Sequence, residues 1–191
     1  MGRTLVPLVG LLLMTSAPAW GQGEISGFGG MASVSEGYGT HPTYGAAVGM
    51  YAARHVHLFG EYSRIPLPPS YYLTNIQGAV VRINESPRYD NFGGGVQIRL
   101  FAERKVQPYV LVPCIGAGRW TTSASNAAYS SARTDMYIAV GAGVRLFGGK
   151  TWGFRPEYRR QLYISLSNFF GNGARSDHIL TGGLFFQIGG Q

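Results

Sequence analysis

Thr134-Asp-Met-Tyr-Ile-Ala-Val-Gly-Ala-Gly-Val-Arg-Leu-Phe147, the turn Gly148-Gly-Lys-Thr151, and Trp152-Gly-Phe-Arg-Pro-Glu-Tyr-Arg-Arg-Gln-Leu-Tyr-Ile164 decide how this chain folds. From Met136 to Leu146 every even position is apolar, and the odd positions are small or polar. After the glycine turn the alternation restarts on Trp152, Phe154, Tyr158, Leu162 and Ile164, opposite Gly153, Arg155, Glu157, Arg159 and Gln161. A period of two means a strand with two unlike faces, so this is a β-hairpin with one greasy side and one charged side. Whether the charged side meets water or a barrel lumen has to come from the rest of the chain.

Working outward, the first residues have the layout of a secretory signal. Arg3 is followed by an apolar run from Leu5 to Met14 and then by Ser16-Ala-Pro-Ala19. The run is shorter than the ~20 residues a membrane helix needs, so it is expected to be removed rather than to anchor. Residues 1–22 are expected to be the signal peptide and 23–191 a single β-barrel domain. Cys114 is the sole cysteine, so an exported chain has no disulfide framework and must be held by packing and backbone pairing. Twenty-nine glycines with 12 Tyr and 10 Phe suit strands whose side-chain layers approach closely.

Eight strands are expected: 24–34, 43–53, 56–65, 88–101, 107–120, 134–147, 152–164 and 177–188. Most reach the ~9–11 residues with which a tilted strand crosses a bilayer. Their connections alternate in length. Arg54-His55, Ala102 to Val106 and Gly148 to Thr151 are short; Ser35 to Pro42, Pro66 to Pro87, Thr121 to Arg133 and Ser165 to Ser176 are long. Short turns at one end and long loops at the other characterise outer-membrane barrels. The predicted fold is all-β, an eight-stranded antiparallel up-and-down transmembrane barrel. A ten-strand barrel is the alternative, because Gln77-Gly-Ala-Val-Val-Arg82 in the long loop can form an extra external hairpin.

The faces agree between strands. Phe92, Val96, Ile98 and Leu100 oppose Asn91, Gly93, Gly95, Gln97 and Arg99; Val56, Leu58 and Tyr62 oppose His57, Phe59, Glu61 and Ser63. The glycine-rich first strand cannot be oriented, and the fifth is apolar on both sides around Tyr109 to Val112. Pro113 and Pro156 each delete a ladder bond and are expected at a bulge or bend. In an eight-strand barrel the charged residues Glu61, Arg99, Arg145, Arg155, Glu157 and Arg159 point into a lumen that side chains fill. Withdrawn from bulk water, they must pair. Glu61 and Glu157 are therefore expected to bridge the arginines; a solvated face of a soluble sheet is the competing reading.

The formal charge of +7 raises nucleic acid as a partner, but several arginines occupy single alternating strand positions rather than a patch, and an exported chain does not meet it. Arg82, Arg88, Arg133 and Arg175 in the loops could instead face lipopolysaccharide phosphates. Tyr62, Tyr71, Tyr72, Tyr89, Tyr109, Trp120, Trp152 and Tyr163 lie near strand ends and suit interfacial girdles. His41, His55 and His57 lack metal-ligand spacing, and His55 and His57, beside a turn, are expected to be solvated or capping. No metal and no cofactor are expected.

Gln107-Pro-Tyr-Val-Leu-Val-Pro-Cys-Ile-Gly-Ala-Gly118 and Arg155-Pro-Glu-Tyr-Arg159 resemble the small outer-membrane β-barrel family typified by OmpA and OmpX. The resemblance implies short periplasmic turns, external long loops and a charged, plugged interior in a monomer of the cell outer membrane. Gly183-Leu-Phe-Phe-Gln-Ile188 is similar to the terminal assembly signal of such barrels, which implies recognition of Gly183, Phe186 and Ile188 by the barrel-insertion machinery. Some barrels of this kind are lipid A deacylases, and Ser165-Leu-Ser167-Asn168 superficially resembles part of their motif, with His178 nearby but not at the expected spacing. The expectation is a non-enzymatic protein in contact with outer-membrane lipid and lipopolysaccharide, working structurally or through its external loops. A deacylase-like hydrolase and a narrow pore are the alternatives.

Overall fold

The computed structural model describes residues 22–35, 39–76, 79–124, 131–164 and 175–189; the expected signal peptide lies, but for Gln22, outside them. Nine antiparallel strands form: β1 Gly23–Val34, β2 Gly39–Ala53, β3 Val56–Pro66, β4 Ser70–Ile76, β5 Ala79–Arg99, β6 Val106–Ala124, β7 Ser131–Phe147, β8 Trp152–Ile164 and β9 Arg175–Ile188. The order is β3-β2-β1-β9-β8-β7-β6-β5-β4, and an additional β3–β5 pairing closes all but β4 into a ring of eight. The segment suspected of adding two staves does form a hairpin: Leu73 to Ile76 of β4 pair with Ala79 to Arg82 of β5. It does not widen the barrel to ten strands. It extends β5 past the rim, because β3 takes the pairing edge of β5 from Arg88 down to Ile98.

The two unoriented strands are explained by local geometry. In β1, Glu24, Ser26, Ala32 and Val34 are buried while Ile25 and Met31 face out, so the expected alternation is present but its outward positions Gly27 and Gly29 carry no side chain to report it. In β6 the register shifts between Leu111 and Cys114, which places a bulge at Val112-Pro113. The extra residue switches the parity: Tyr109 and Leu111 point inward below the bulge, Cys114 and Gly118 above it. A single alternation cannot describe a strand that changes parity, hence the apolar look of both sides. Pro156 makes no such shift; it stays in register with Gly182, and the β7 ladder is interrupted between Gly143–Glu157 and Leu146–Phe154.

Outside, the wall is apolar. Ile25, Met31, Val48, Leu58, Phe92, Ile115, Met136, Val140, Phe154, Leu184 and Phe186 are all exposed. Met136 to Leu146, at about 3.4 Å per residue and a tilt of about 40°, rises about 25 Å, the height of a lipid-facing band. No helix among the described residues is long and apolar enough to cross a membrane; the elements of crossing length are the strands. A charged side chain interrupts the band at Arg160, which faces outward as alternation requires and donates to Ser176 Oγ.

The expected aromatic girdle is only partly external. Tyr71 and Trp152 are exposed and Tyr62 is half-buried, but Tyr89, Tyr109 and Tyr163 are buried in the lumen and Trp120 packs against that core. Each of these tyrosines occupies an inward position of its strand, so nearness to a strand end does not put an aromatic in the interface. The side chain of Tyr72 lies outside the description.

Candidate functional site

The lumen is where the chain's chemistry is concentrated. Its wall is thin in side chains, because glycines occupy inward positions and aromatic rings from the next strand lie across them. The Tyr137 ring covers Gly93 and Gly116, and a Cβ on Gly116 would also stand 2.5 Å from the Phe92 carbonyl oxygen. Tyr109 covers Gly143 in the same way. Tyr89, Tyr137 and Tyr163 then stack edge-on or tilted at 5.5–5.6 Å between centroids. Removing the side chain beneath each ring is what gives a narrow barrel room for large polar residues.

Two ion-paired layers fill the middle. In the first, Arg145, fully buried, grips Glu24 with both terminal nitrogens, at 2.6 and 2.7 Å. Arg155 approaches the same carboxylate at 3.5 Å and donates to Ser26 Oγ at 3.2 Å. The Tyr51 hydroxyl donates to Glu24 at 2.8 Å, and Gln97 accepts from Arg145. In the second layer Arg159 lies between Glu61 and Glu157, donating to both, while the Tyr109 hydroxyl donates to Glu157. The planar guanidinium fork suits this role, since it presents several donors to two carboxylates at fixed angles.

The geometry thus joins Glu61, Glu157 and Arg159 and separates the other three expected members. Arg145 and Arg155 turn to Glu24, a residue hidden in the glycine-rich strand. Arg99 meets no carboxylate among the described contacts; it donates to Gln107 and to the Arg54 carbonyl and lies 4.1 Å over the Tyr51 ring. The signal that could have found Glu24 is charge balance: two carboxylates cannot neutralise four buried arginines, and Glu24 is the one acid in β1.

At the short-turn end the lumen opens into a cavity of about 1110 Å³ lined by Tyr51, Arg54, Arg99, Lys105, Gln107 and Gln187 among others. Tyr51 also bonds to Arg145, so the inner end of this cavity meets the Glu24 layer. Towards the long-loop end, Arg175 pairs with Asp177 at 2.6 Å and sits 4.5 Å over both the Tyr89 and Tyr163 rings. That places Arg175 inside the barrel mouth and not against lipid. Arg133 pairs with Asp135 at the same rim. The side chain of Arg82 lies outside the description.

His57 is buried in the lumen, 4.7 Å from the Tyr51 ring, because it occupies an inward position of β3; the expectation of a solvated turn histidine is wrong for it. His55 does cap, its Nδ1 lying 2.8 Å from the Arg99 carbonyl. Ser165, Ser167 and Asn168 lie outside the described residues, and His178 faces outward with its Nδ1 2.6 Å from the Tyr158 hydroxyl. No group of three metal-ligating side chains comes together among the described residues. In β9, Phe186 and Ile188 face outward, while Gly183 is buried where a Cβ would meet Gly27 and Phe28 of β1.

No protein-family model matches the chain, and no curated protein matches it in sequence. Solved structures do match in shape. Neisserial surface protein A superposes with a TM-score of 0.62 at 12% identity, over 86% of this chain and 96% of that one. The attachment invasion locus protein Ail of Yersinia pestis gives 0.53 at 16%, over 87% and 99%. A major outer membrane protein from Thermus thermophilus gives 0.54 at 6%, over 88% and 100%.

Proposed function

From a chain with the fold of the small outer-membrane β-barrels, lying in the cell outer membrane with an apolar wall against lipid, we propose a non-enzymatic membrane protein that acts through its external end. The observation that supports this is the filling of the lumen. Glu24, Arg145 and Arg155 form one cross-barrel layer and Glu61, Arg159 and Glu157 another, all at low exposure. Side chains spent on one another are not available to bind or turn over a substrate, and they block the path a solute would follow. Wide aqueous channels need about 16 strands. The expected contacts with lipopolysaccharide and with the insertion machinery through Gly183, Phe186 and Ile188 belong to this proposal, as does a monomeric state.

Planar-bilayer recordings of the refolded chain, with mass spectra of lipid A from cells with and without it, test the reading together. The expected outcome is no large stable current and an unchanged lipid A acylation pattern. A conductance of porin size, or loss of one acyl chain, would refute it.

A further inference from the structure

The outer wall carries a charged row that the lumen does not use. The β3–β5 and β5–β6 registers set Arg64, Asp90 and Arg119 directly abreast, all on outward positions, and Arg88 lies one outward step higher on β5. Neighbours across an antiparallel ladder stand about 5 Å apart. Asp90 is 7% exposed, and it gathers Arg64, Arg88 and Tyr62. Arg64 Nε reaches it at 2.6 Å, Arg88 Nε at 3.3 Å, and the Tyr62 hydroxyl donates to it at 2.7 Å. Both ion pairs use Nε, so the terminal amino groups of the two arginines are not the ones committed to the carboxylate. Arg119 is exposed and makes no hydrogen bond or ion pair among the described residues. Three guanidiniums against one carboxylate leave two positive charges.

What lies beneath the row identifies the occupant. The outward residues toward the membrane on the same strands and on the neighbouring β7 are Phe92, Ile115 and Met136, exposed by 49%, 60% and 51%. A ligand seated here must be anionic at its head and apolar below it, and must approach from the membrane side at the long-loop end. A second outward polar group, Arg160 with His178, is bonded to Ser176 and Tyr158 and offers one guanidinium where this row offers three.

We infer that Arg64 and Arg88, ordered by Asp90, form with the adjacent Arg119 a site on the barrel wall for the phosphate of a membrane glycolipid of the lipid A type. The inference rests on the outer-membrane reading above and names a partner for its external end. Planar guanidiniums offering paired donors suit a phosphate better than a point charge would. Tyr62, whose ring lies 5.9 Å from the Arg64 guanidinium carbon, stiffens one arm of the site.

The test titrates the refolded full chain in detergent micelles with bisphosphorylated lipid A and, separately, with its dephosphorylated form, read by native mass spectrometry. Wild type is expected to retain the phosphorylated lipid at least tenfold more tightly than the dephosphorylated one. The triple substitution Arg64→Gln, Arg88→Gln, Arg119→Gln is expected to abolish that difference. Arg119→Gln alone, at a residue bonded to no other described residue, is expected to weaken retention about threefold without touching the fold, and it decides the matter should the triple variant fail to refold. Millimolar inorganic phosphate is expected not to compete; full competition would reassign the site to a free anion and overturn the lipid assignment. Equal retention by wild type and Arg119→Gln, or equal retention of the two lipids by wild type, would also overturn it. The outer-membrane reading is scored separately, by fractionation, so the two can fail independently.

Discussion

Replacing Glu24 by Gln should be the most damaging near-isosteric change in the barrel. The carboxylate is shared by Arg145 through two short bonds, by Arg155, and by the Tyr51 hydroxyl, and the side chains of Glu24 and Arg145 are exposed by only 2% and 0%. Gln keeps the volume and one carbonyl acceptor, so packing is hardly altered and the lost term is charge. Breaking one side of a buried ion pair costs about 3–5 kcal/mol. Because an acceptor remains, the lower end applies, about 3 kcal/mol. With a urea slope of about 2 kcal/mol per molar, the unfolding midpoint should fall by about 1.5 M. Urea titration of the detergent-refolded chain, followed by tryptophan fluorescence and by unheated gel mobility, measures it. Adding Arg145→Met to Glu24→Gln should recover part of the loss, since it removes one of the two buried guanidiniums that Glu24 neutralises and leaves only Arg155 without its acid. A midpoint shift under about 0.5 M for the single variant, or no recovery in the double, would refute the buried-pair account.

Gly116→Val should cost about 1–3 kcal/mol, because its Cβ would press on the Tyr137 ring and the Phe92 carbonyl, whereas Gly27→Ala meets nothing within 4 Å and should stay within about 0.5 kcal/mol by the same urea titration. Val140→Arg, on the exposed wall midway along Met136 to Leu146, should lose about 2–4 kcal/mol when unfolding is measured from lipid bilayers. Arg160→Leu on the same wall should lose less than about 1 kcal/mol, since only an exposed bond to Ser176 goes. Replacing residues 73–82 by a short glycine-serine linker, which spares the buried Ile83, should leave the thermal midpoint unchanged, because this part of β4 pairs only with the β5 extension and not with the ring; a lowered midpoint would mean the hairpin braces the barrel.

Strand alternation is legible wherever outward positions carry large apolar side chains, as in β7 and β8, and it fails where that physical contrast vanishes. Gly27 and Gly29 remove it from β1 and so conceal Glu24. The bulge at Val112-Pro113 reverses it within β6, which hides the inward direction of Tyr109. Partner choice among the lumen charges is legible for Arg159, whose two acids lie on strands with clear faces. It is not legible for Arg145, whose acid lies 121 residues away across the barrel closure. The wall row of Arg64, Asp90 and Arg119 depends on the registers of three strands, which alternation alone does not set.

Gel migration of the native chain recovered from membrane fractions tests the central claim most directly. A closed, ion-paired barrel in lipid should appear in the outer-membrane fraction and run faster unheated than after boiling. A chain found soluble in the periplasm, with one mobility under both conditions, would contradict it.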